Sequence, residues 1–272
     1  MCELLAMSFD APATAAFTIR EFGPRGEENA DGWGLAWYPD ASVAVVKEPV
    51  KWGDSPMAGF CETYANLTSR IFIGHVRDAT AGLVRRHANT HPFTRELMGR
   101  DYTFAHNGTL DPPVYDLPIG PAAPLGDTDS ERAFCYLLMG IHRLGRHLDR
   151  PEEWGWLHRE LARLNALGKL NAILSDGVRL FVYRDLKAWK GLSYLVGPSA
   201  GKLGDAPISV QVGEGGGSRV VVATRSLGPG EWSALQPGEM LVLESGTVRQ
   251  LYRVGHGDLV GPGGDARPTI AD

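Results

Sequence analysis

Two amphipathic helical stretches sit in the middle of this chain, with short apolar segments bounded by turns on either side. That order constrains the fold more than any single residue does. In "TDSERAFCYLLMGIHRL", Thr128 and Glu131 have the T-x-x-E spacing of a capping box, and apolar residues follow at helical intervals. "PEEWGWLHRELARLNAL" is a second amphipathic helix. Ahead of them, "CELLAMSF" reads as a strand ending at Asp10-Ala11-Pro12. "GLAWY" and "SVAVVKE" read as a hairpin around "PDA", and "RIFIGHVR" and "RDYTFAHNGTL" as strands that run into polar motifs. "TAAFTIREFG" has the makings of a helix stopped by Gly23, and "SPMAGFCETYANL" of one with Ser55 as N-cap and Pro56 at its first position. Behind the central helices, "KLNAILSDG", "RLFVYRD", "LSYLVG", "SRVVVATRSL" and "EMLVLESGTV" read as strands between Gly-rich turns. Hairpin-like neighbours outnumber β-α-β units. The expectation is therefore antiparallel sheets with helices packed outside them.

No break in composition divides the 272 residues, so one domain over residues 1–260 is expected, with a flexible tail at 261–272. The net charge of −5 argues against a general nucleic-acid binder, which would carry a basic stripe. No apolar run approaches the ~18 residues needed to span a bilayer. Glu3 and Asp10 interrupt the first apolar run and no basic segment precedes it, which speaks against a secretory signal. Three irregularly spaced cysteines do not make a disulfide framework. The reading is a cytoplasmic protein with reduced thiols, in which the glycosylation triplets at Asn66 and Asn107 carry no meaning.

Polar groups and glycine collect at the ends of apolar segments in "NADGWG", "GHVRDAT", "NTHPF", "FAHNGTL" and "GDTDSE". Singly, each has a plain explanation: Asn107-Gly108 suits a tight turn, and Thr128-Asp129 is accounted for by capping. Cys2 changes their meaning. If Met1 is removed, a thiol and a free α-amine share one residue, and an unperturbed α-amine with a pKa near ~7.7–8.0 suits a general base. The Asn107 side-chain amide and the Gly108 backbone N–H can form an oxyanion hole. Arg77 can clamp a carboxylate and Asp129 can accept from an ammonium. Such a set implies an amino-acid substrate attacked at a distant acyl group.

Cys2 behind Met1, "HVRDAT", "NTHPF", "AHNG" and "TDSE", in that order, resemble the class II glutamine amidotransferases, and most of all their stand-alone bacterial members. The likeness is dense from Cys2 to about Leu138 and looser through "LNAILSDG", "VVVATRSL" and "WSALQPGEMLVL". It implies an N-terminal-nucleophile hydrolase with a four-layer αββα sandwich of two mostly antiparallel sheets flanked by helices. It implies that Cys2 attacks the γ-amide of glutamine or of a γ-glutamyl compound, releasing ammonia or an amine, and that water then hydrolyses the thioester. Asn107 and Gly108 would form the oxyanion hole, Arg77 and Thr80 would bind the α-carboxylate, and Asp129 the α-amine. His91 would support this pocket, and the loop Asn29–Gly34 would lie near the nucleophile. No cofactor and no metal are implied. Asp78 stands where synthase-linked members commonly have Trp, and no acceptor-processing domain is evident. The reading leaves room for a separate ammonia-accepting synthase and for a homodimer, with neither nucleic acid nor membrane as a partner.

The same residues admit other readings. His75, His87, His91 and His106 cluster in sequence but lack the H-E-x-x-H or C-x-x-C spacing of a zinc site. Cys61 and Cys135 lie in apolar helical surroundings and read as structural thiols. Outside enzymes, the alternative is a degenerate member that binds γ-glutamyl ligands or regulates a partner without turnover.

Overall fold

The computed structural model describes residues 2–14, 21–23, 25, 31–64, 67–77, 84–121, 123–198, 201–203, 206–208 and 217–254. In chain order the strands begin with β1 (Glu3–Thr14), β2 (Gly32–Trp37), β3 (Ala44–Glu48), β4 (Thr68–Arg77), β5 (Phe93–Leu97) and β6 (Arg100–Leu110). The later strands are β7 (Gly168–Ser175), β8 (Arg179–Tyr183), β9 (Ser193–Pro198), β10 (Gly201–Leu203), β11 (Ala206–Ile208), β12 (Ser218–Ala223), β13 (Ser233–Ala234), β14 (Met240–Glu244) and β15 (Thr247–Tyr252). Three helices are α1 (Pro56–Thr63), α2 (Asp129–Leu144) and α3 (Pro151–Ala166). One sheet has seven strands in the order β13-β9-β12-β1-β4-β2-β3, and a second has six in the order β15-β14-β8-β7-β6-β5. Every pairing within the two sheets is antiparallel.

Three apolar clusters fill the three spaces of a four-layer αββα sandwich. Leu4, Ala6, Ile71 and Ile73 of the seven-stranded sheet meet Ala105, Ile173, Val182 and Leu241 of the six-stranded sheet. Phe134, Leu138 and Ile141 of α2 and Leu157 and Leu161 of α3 pack on Phe104, Leu170, Leu174 and Phe181, the outer face of the six-stranded sheet. On the opposite outside, Ala58 and Cys61 of α1 join Phe22 and Trp52 over Leu5, Met7, Phe9 and Phe72. Alternate residues of a strand face opposite sides, so β1 is apolar on both. Each such fully buried side chain contributes about 1.5–3 kcal/mol of transfer free energy. β1 is paired to β4 on one side and β12 on the other, so the residues next to Cys2 are tied down. Leu4 adds side-chain bracing: its N–H donates to Thr224 Oγ1 at 2.7 Å.

Several local expectations change. β1 does not stop at Asp10: its register with β4 shifts between Ser8 and Ala13, and the strand resumes to Thr14. Pro12, which cannot donate to a ladder, lies inside that irregularity, where a proline is tolerated. "EMLVLESGTV" is a hairpin and not one strand, turning at Ser245-Gly246 with φ of 47° and 69°, the signature of a tight two-residue turn. "FTREL" forms β5, a short strand that the sequence pattern does not announce. Asn107-Gly108 lies inside β6 and is not a turn. Only half of the capping box forms. Thr128 Oγ1 accepts from the Glu131 N–H at 3.1 Å, but the Glu131 carboxylate accepts from the Leu125 and Gly126 N–H groups and pairs with Arg95. Ser55 caps α1 ahead of Pro56 as expected. Most of the "TAAFTIREFG" stretch and the whole tail at 261–272 lie outside the described residues.

Candidate active site

Strand parity puts Cys2 on the same side of β1 as Leu4 and Ala6, facing the second sheet. Asn107 has the parity of Ala105 and faces back across the sandwich. The two meet: Asn107 Nδ2 donates to the Cys2 carbonyl at 2.7 Å. Gly108 follows on β6. A Cβ at that position would lie 2.0 Å from the Lys169 carbonyl oxygen and 2.5 Å from His106 Nε2, so only glycine fits. Gly108 is opposite Leu170 in the ladder, yet the Leu170 N–H donates to Asp185 Oδ2 at 2.9 Å. The Gly108–Leu170 pair is therefore one that exchanges no hydrogen bond, and the Gly108 N–H is directed away from β7. Two residues on, with the same orientation, the Leu110 N–H donates to Asp129 Oδ2 at 2.6 Å. The end of α2 that carries Asp129 is thus fastened beside the Gly108 amide.

Arg77 ends β4. The register Glu3↔Val76, continued by one residue, sets it beside Cys2. Burial pulls the Arg77 pKa below the usual arginine value, while Cys2 and Asp31 oppose that shift. The guanidinium is buried. Its Nη1 donates to the Asp31 carbonyl at 3.3 Å, and its Nη2 has no hydrogen-bond partner among the described residues. Asp31 returns a bond from its N–H to the Arg77 carbonyl at 3.2 Å. Of the expected Asn29–Gly34 loop, Asp31 borders Arg77, and residues 32–34 are not loop but the start of β2, paired to the end of β4. Thr80 and Asp78 lie outside the described residues, as do Asn29 and Ala30.

His91 is buried, and its ring lies 4.3 Å from that of His75. The sequence reading singled out His91 but gave His75 no role here. His75 sits opposite Leu4 on β4, with the side-chain direction of Ile73. Neither imidazole has a hydrogen bond of normal geometry among the described residues. Burial is the main cause that pushes the His75 pKa down to about 3, and Arg77 adds to it. His91 is pushed well below its usual value by burial and by its cationic neighbours. Both rings are neutral near pH 7. The backbone under His91 is held by Lys47, whose Nζ donates to the Thr90 carbonyl at 2.7 Å and to the Pro92 carbonyl at 3.0 Å. Gly34 admits this arrangement, since a Cβ there would come within 2.1 Å of the His91 carbonyl oxygen.

On the other side of Cys2 the chain leaves β8 through a braced loop that the sequence reading did not single out. Asp185 is fully buried and accepts from the Lys187 and Trp189 N–H groups at 2.8 and 3.0 Å. Asn171, the ladder partner of Asn107, accepts from the Asp185 N–H at 2.9 Å and donates to the Trp189 carbonyl at 3.2 Å. This bracing brings Lys190 Nζ to 3.5 Å from the Cys2 carbonyl. The available signal was slight: "RDLKAWKG" has a turn-forming Asp but no glycine where the backbone needs one.

The arrangement contains a half-buried thiol, a pair of N–H donors, a buried cation with a spare donor and a carboxylate at a helix start. Comparison with known proteins points the same way. The family described as "Glutamine amidotransferases class-II" matches residues 1–258. "Putative glutamine amidotransferase YafJ" of Escherichia coli is 37% identical over 191 residues, covering 67% of this chain and 72% of that protein. "Gamma-glutamyl-hercynylcysteine sulfoxide hydrolase" of Mycolicibacterium smegmatis is 28% identical and covers 60% of this chain and 66% of its own. A solved structure described as a "predicted glutamine amidotransferase" from Pseudomonas aeruginosa superposes with a TM-score of 0.67 at 29% identity, covering 92% of this chain and 100% of that one.

Proposed function

The chain belongs to the class II glutamine amidotransferases, and we propose that it hydrolyses the γ-amide bond of glutamine or a γ-glutamyl compound through a thioester on Cys2. The observation that carries this reading is Arg77: a buried guanidinium beside Cys2 whose Nη2 has no partner among the described residues. A buried donor without a partner is costly, and a substrate carboxylate would satisfy it with a charge-assisted bond.

In this reading Met1 is removed and the α-amine of Cys2 takes the thiol proton. Sγ adds to the γ-carbonyl carbon, and Asn107 Nδ2 and the Gly108 N–H stabilise the resulting oxyanion. The C–N bond breaks as the ammonium returns its proton to the leaving nitrogen, which departs as ammonia or an amine. Water then adds to the thioester, giving a proton to the α-amine, and collapse releases glutamate and the thiol. Arg77 and Thr80 hold the α-carboxylate and Asp129 the α-ammonium. His91 supports the pocket wall as a neutral ring held by its neighbours. The mycobacterial relative, named for hydrolysis of a γ-glutamyl compound, supports the hydrolase reading. A cytoplasmic location and a homodimer fit the reading, and among the described residues no helix is long and apolar enough to cross a membrane.

The test is a glutamine-mimicking diazo-ketone at pH 7.5, read by peptide mass. Alkylation is expected at Cys2 alone, because burial pushes the Cys61 and Cys135 thiols up to about 11 and the thiolate is the reactive form. Labelling of Cys61 or Cys135, or an active preparation that retains Met1 throughout, overturns the mechanism. Cys2→Ala separates the enzyme from a mere binder: an enzyme loses turnover, whereas a binder has none to lose.

A further inference from the structure

The reading above names the acyl half of the substrate and leaves the amine half open. We propose that the amine half carries a carboxylate, bound by Lys190 on the ledge formed by Trp189, so that the substrate class is γ-glutamyl amino acids or peptides. This rests on the γ-glutamyl hydrolase reading and deepens it.

The argument starts from sheet order. β1, which follows Cys2, lies between β4 and β12. Arg77 ends β4, on one flank of Cys2. In the facing sheet, β6, which carries Asn107, is the strand that meets β4, and β7 and then β8 follow in the direction of β15, which meets β12 on the other flank. The loop after β8 brings Lys190 to Cys2 from the opposite side. A γ-glutamyl group stretched from Arg77 to Sγ puts the scissile nitrogen, and everything attached to it, away from Arg77. Lys190 stands on that side, with Nζ 3.5 Å from the Cys2 carbonyl.

Lys190 is built into place and does not simply trail from the surface. Ala188 and Lys190 have φ of 58° and 69°, a left-handed conformation that non-glycine residues adopt at a cost. The loop holds it because fully buried Asp185 accepts from two of its N–H groups and Asn171 donates to the Trp189 carbonyl. The Trp189 ring is half-buried, with Lys169 Nζ 5.4 Å and Lys190 Nζ 5.6 Å from its centroid. Two ammonium groups thus approach one aromatic ring near the nucleophile, in a chain whose net charge is −5. Among the described residues Lys190 makes no ion pair. Glu3 feels its charge but is bonded to Arg225 at 2.9 Å and lies 3.9 Å from Arg25. A cation held beside a nucleophile without a carboxylate of its own is suited to receive one from a substrate.

The experiment compares γ-glutamylglycine with γ-glutamylmethylamide, which lacks only the carboxylate, and with glutamine, scored by glutamate release. Wild type should prefer γ-glutamylglycine to the methylamide by about tenfold or more in kcat/KM, the scale of one charge-assisted hydrogen bond. Lys190→Gln should erase that preference through KM, and Lys190→Arg should restore part of it. Thermal melts establish that each variant is folded. The proposal is overturned if wild type hydrolyses both amides equally. It is also overturned if Lys190→Gln slows both by one factor, because the residue would then act on Cys2 and not on the substrate. Absence of glutamate release from all three compounds has a different signature and brings down the hydrolase reading together with this one.

Discussion

Replacing Arg77 with methionine should uncouple stability from activity. Arg77→Met keeps a long buried stem and removes the guanidinium. The protein loses the Nη1 bond to the Asp31 carbonyl, long at 3.3 Å, worth about 1 kcal/mol. It also sheds a buried Nη2 donor without a partner among the described residues, a burden of about 1–3 kcal/mol. The two nearly cancel or leave a gain, so stability should change by no more than about 2 kcal/mol in either direction. Activity should behave otherwise. Two charge-assisted bonds to an α-carboxylate, at about 1.5–3 kcal/mol each, sum to about 3–6 kcal/mol, or roughly 10²–10⁴ in kcat/KM.

A substrate cycle isolates that sum. 4-Aminobutanamide is glutamine without its α-carboxylate, and wild type should lose about the same factor on it as Arg77→Met loses on glutamine. The variant itself should scarcely distinguish the two compounds, because the group that reads the difference is gone. Urea unfolding supplies the stability arm, and glutamate or 4-aminobutyrate release the kinetic arm. If Arg77→Met still prefers glutamine by more than about tenfold, the carboxylate is held elsewhere and the reasoning fails. If the variant unfolds, the guanidinium is structural and its spare donor is not what it is taken to be here.

Two further outcomes follow from local geometry. Gly108→Ala must move a Cβ away from the Lys169 carbonyl, 2.0 Å distant, which displaces β6 from β7 at the proposed oxyanion hole; a loss of at least about 10² in kcat is expected, and wild-type kcat in this variant would remove Gly108 from the mechanism. Acid should unfold the protein through its buried histidines: burial lowers the His75 pKa to about 3 and lowers those of His91 and His106. An unfolded histidine, near ~6.5, takes up protons that the folded rings refuse, so stability is complete above that value and falls as pH drops toward 3, by up to about 1.4 kcal/mol per pH unit per histidine. Urea midpoints between pH 7 and 4.5 check this, and a pH dependence in His75→Asn no shallower than wild type would refute it.

The strands and central helices were legible because their signals are local. The period of "TDSERAFCYLLMGIHRL" needs only its own residues to be read, and α2 begins one residue after Thr128. Glu131 shows where such reasoning stops. Its spacing fits a capping box, but three donors from elsewhere, two loop amides and Arg95, outcompete the N-cap amide. Asn107-Gly108 was ambiguous for a similar reason: the dipeptide favours a turn, and only its ladder with Asn171 and Leu170 makes it strand. Arg77 and Asp129 become candidates in the sequence only in company with Cys2 and the other polar motifs, since Thr128-Asp129 alone is accounted for by capping. His75 and Lys190 were not. What distinguishes His75 is a ring 4.3 Å away on a different element. Lys190 is distinguished by two left-handed residues that carry no glycine.

The sandwich also explains why these groups can act together. Cys2 precedes β1, Arg77 closes β4, Asn107 and Gly108 lie near the end of β6, and Lys190 comes after β8. Antiparallel neighbours bring strand ends and strand starts to the same edge, so all of these reach one rim of the inter-sheet core. Each is anchored by a different element: Thr224 braces β1, Asp31 braces Arg77, Asp129 fastens α2 to Leu110, and Asp185 braces the loop of Lys190. Local opening of any one element would move one group and spare the rest. β1 is the exception. It is paired on both sides and buried on both faces, so the proposed nucleophile follows directly onto a strand that can open only when much of the domain does. The groups proposed to hold substrate sit on strand ends and loops. In the proposed mechanism, rigidity is thus concentrated where bond-making needs a fixed atom, and adaptability where differing amine halves would enter.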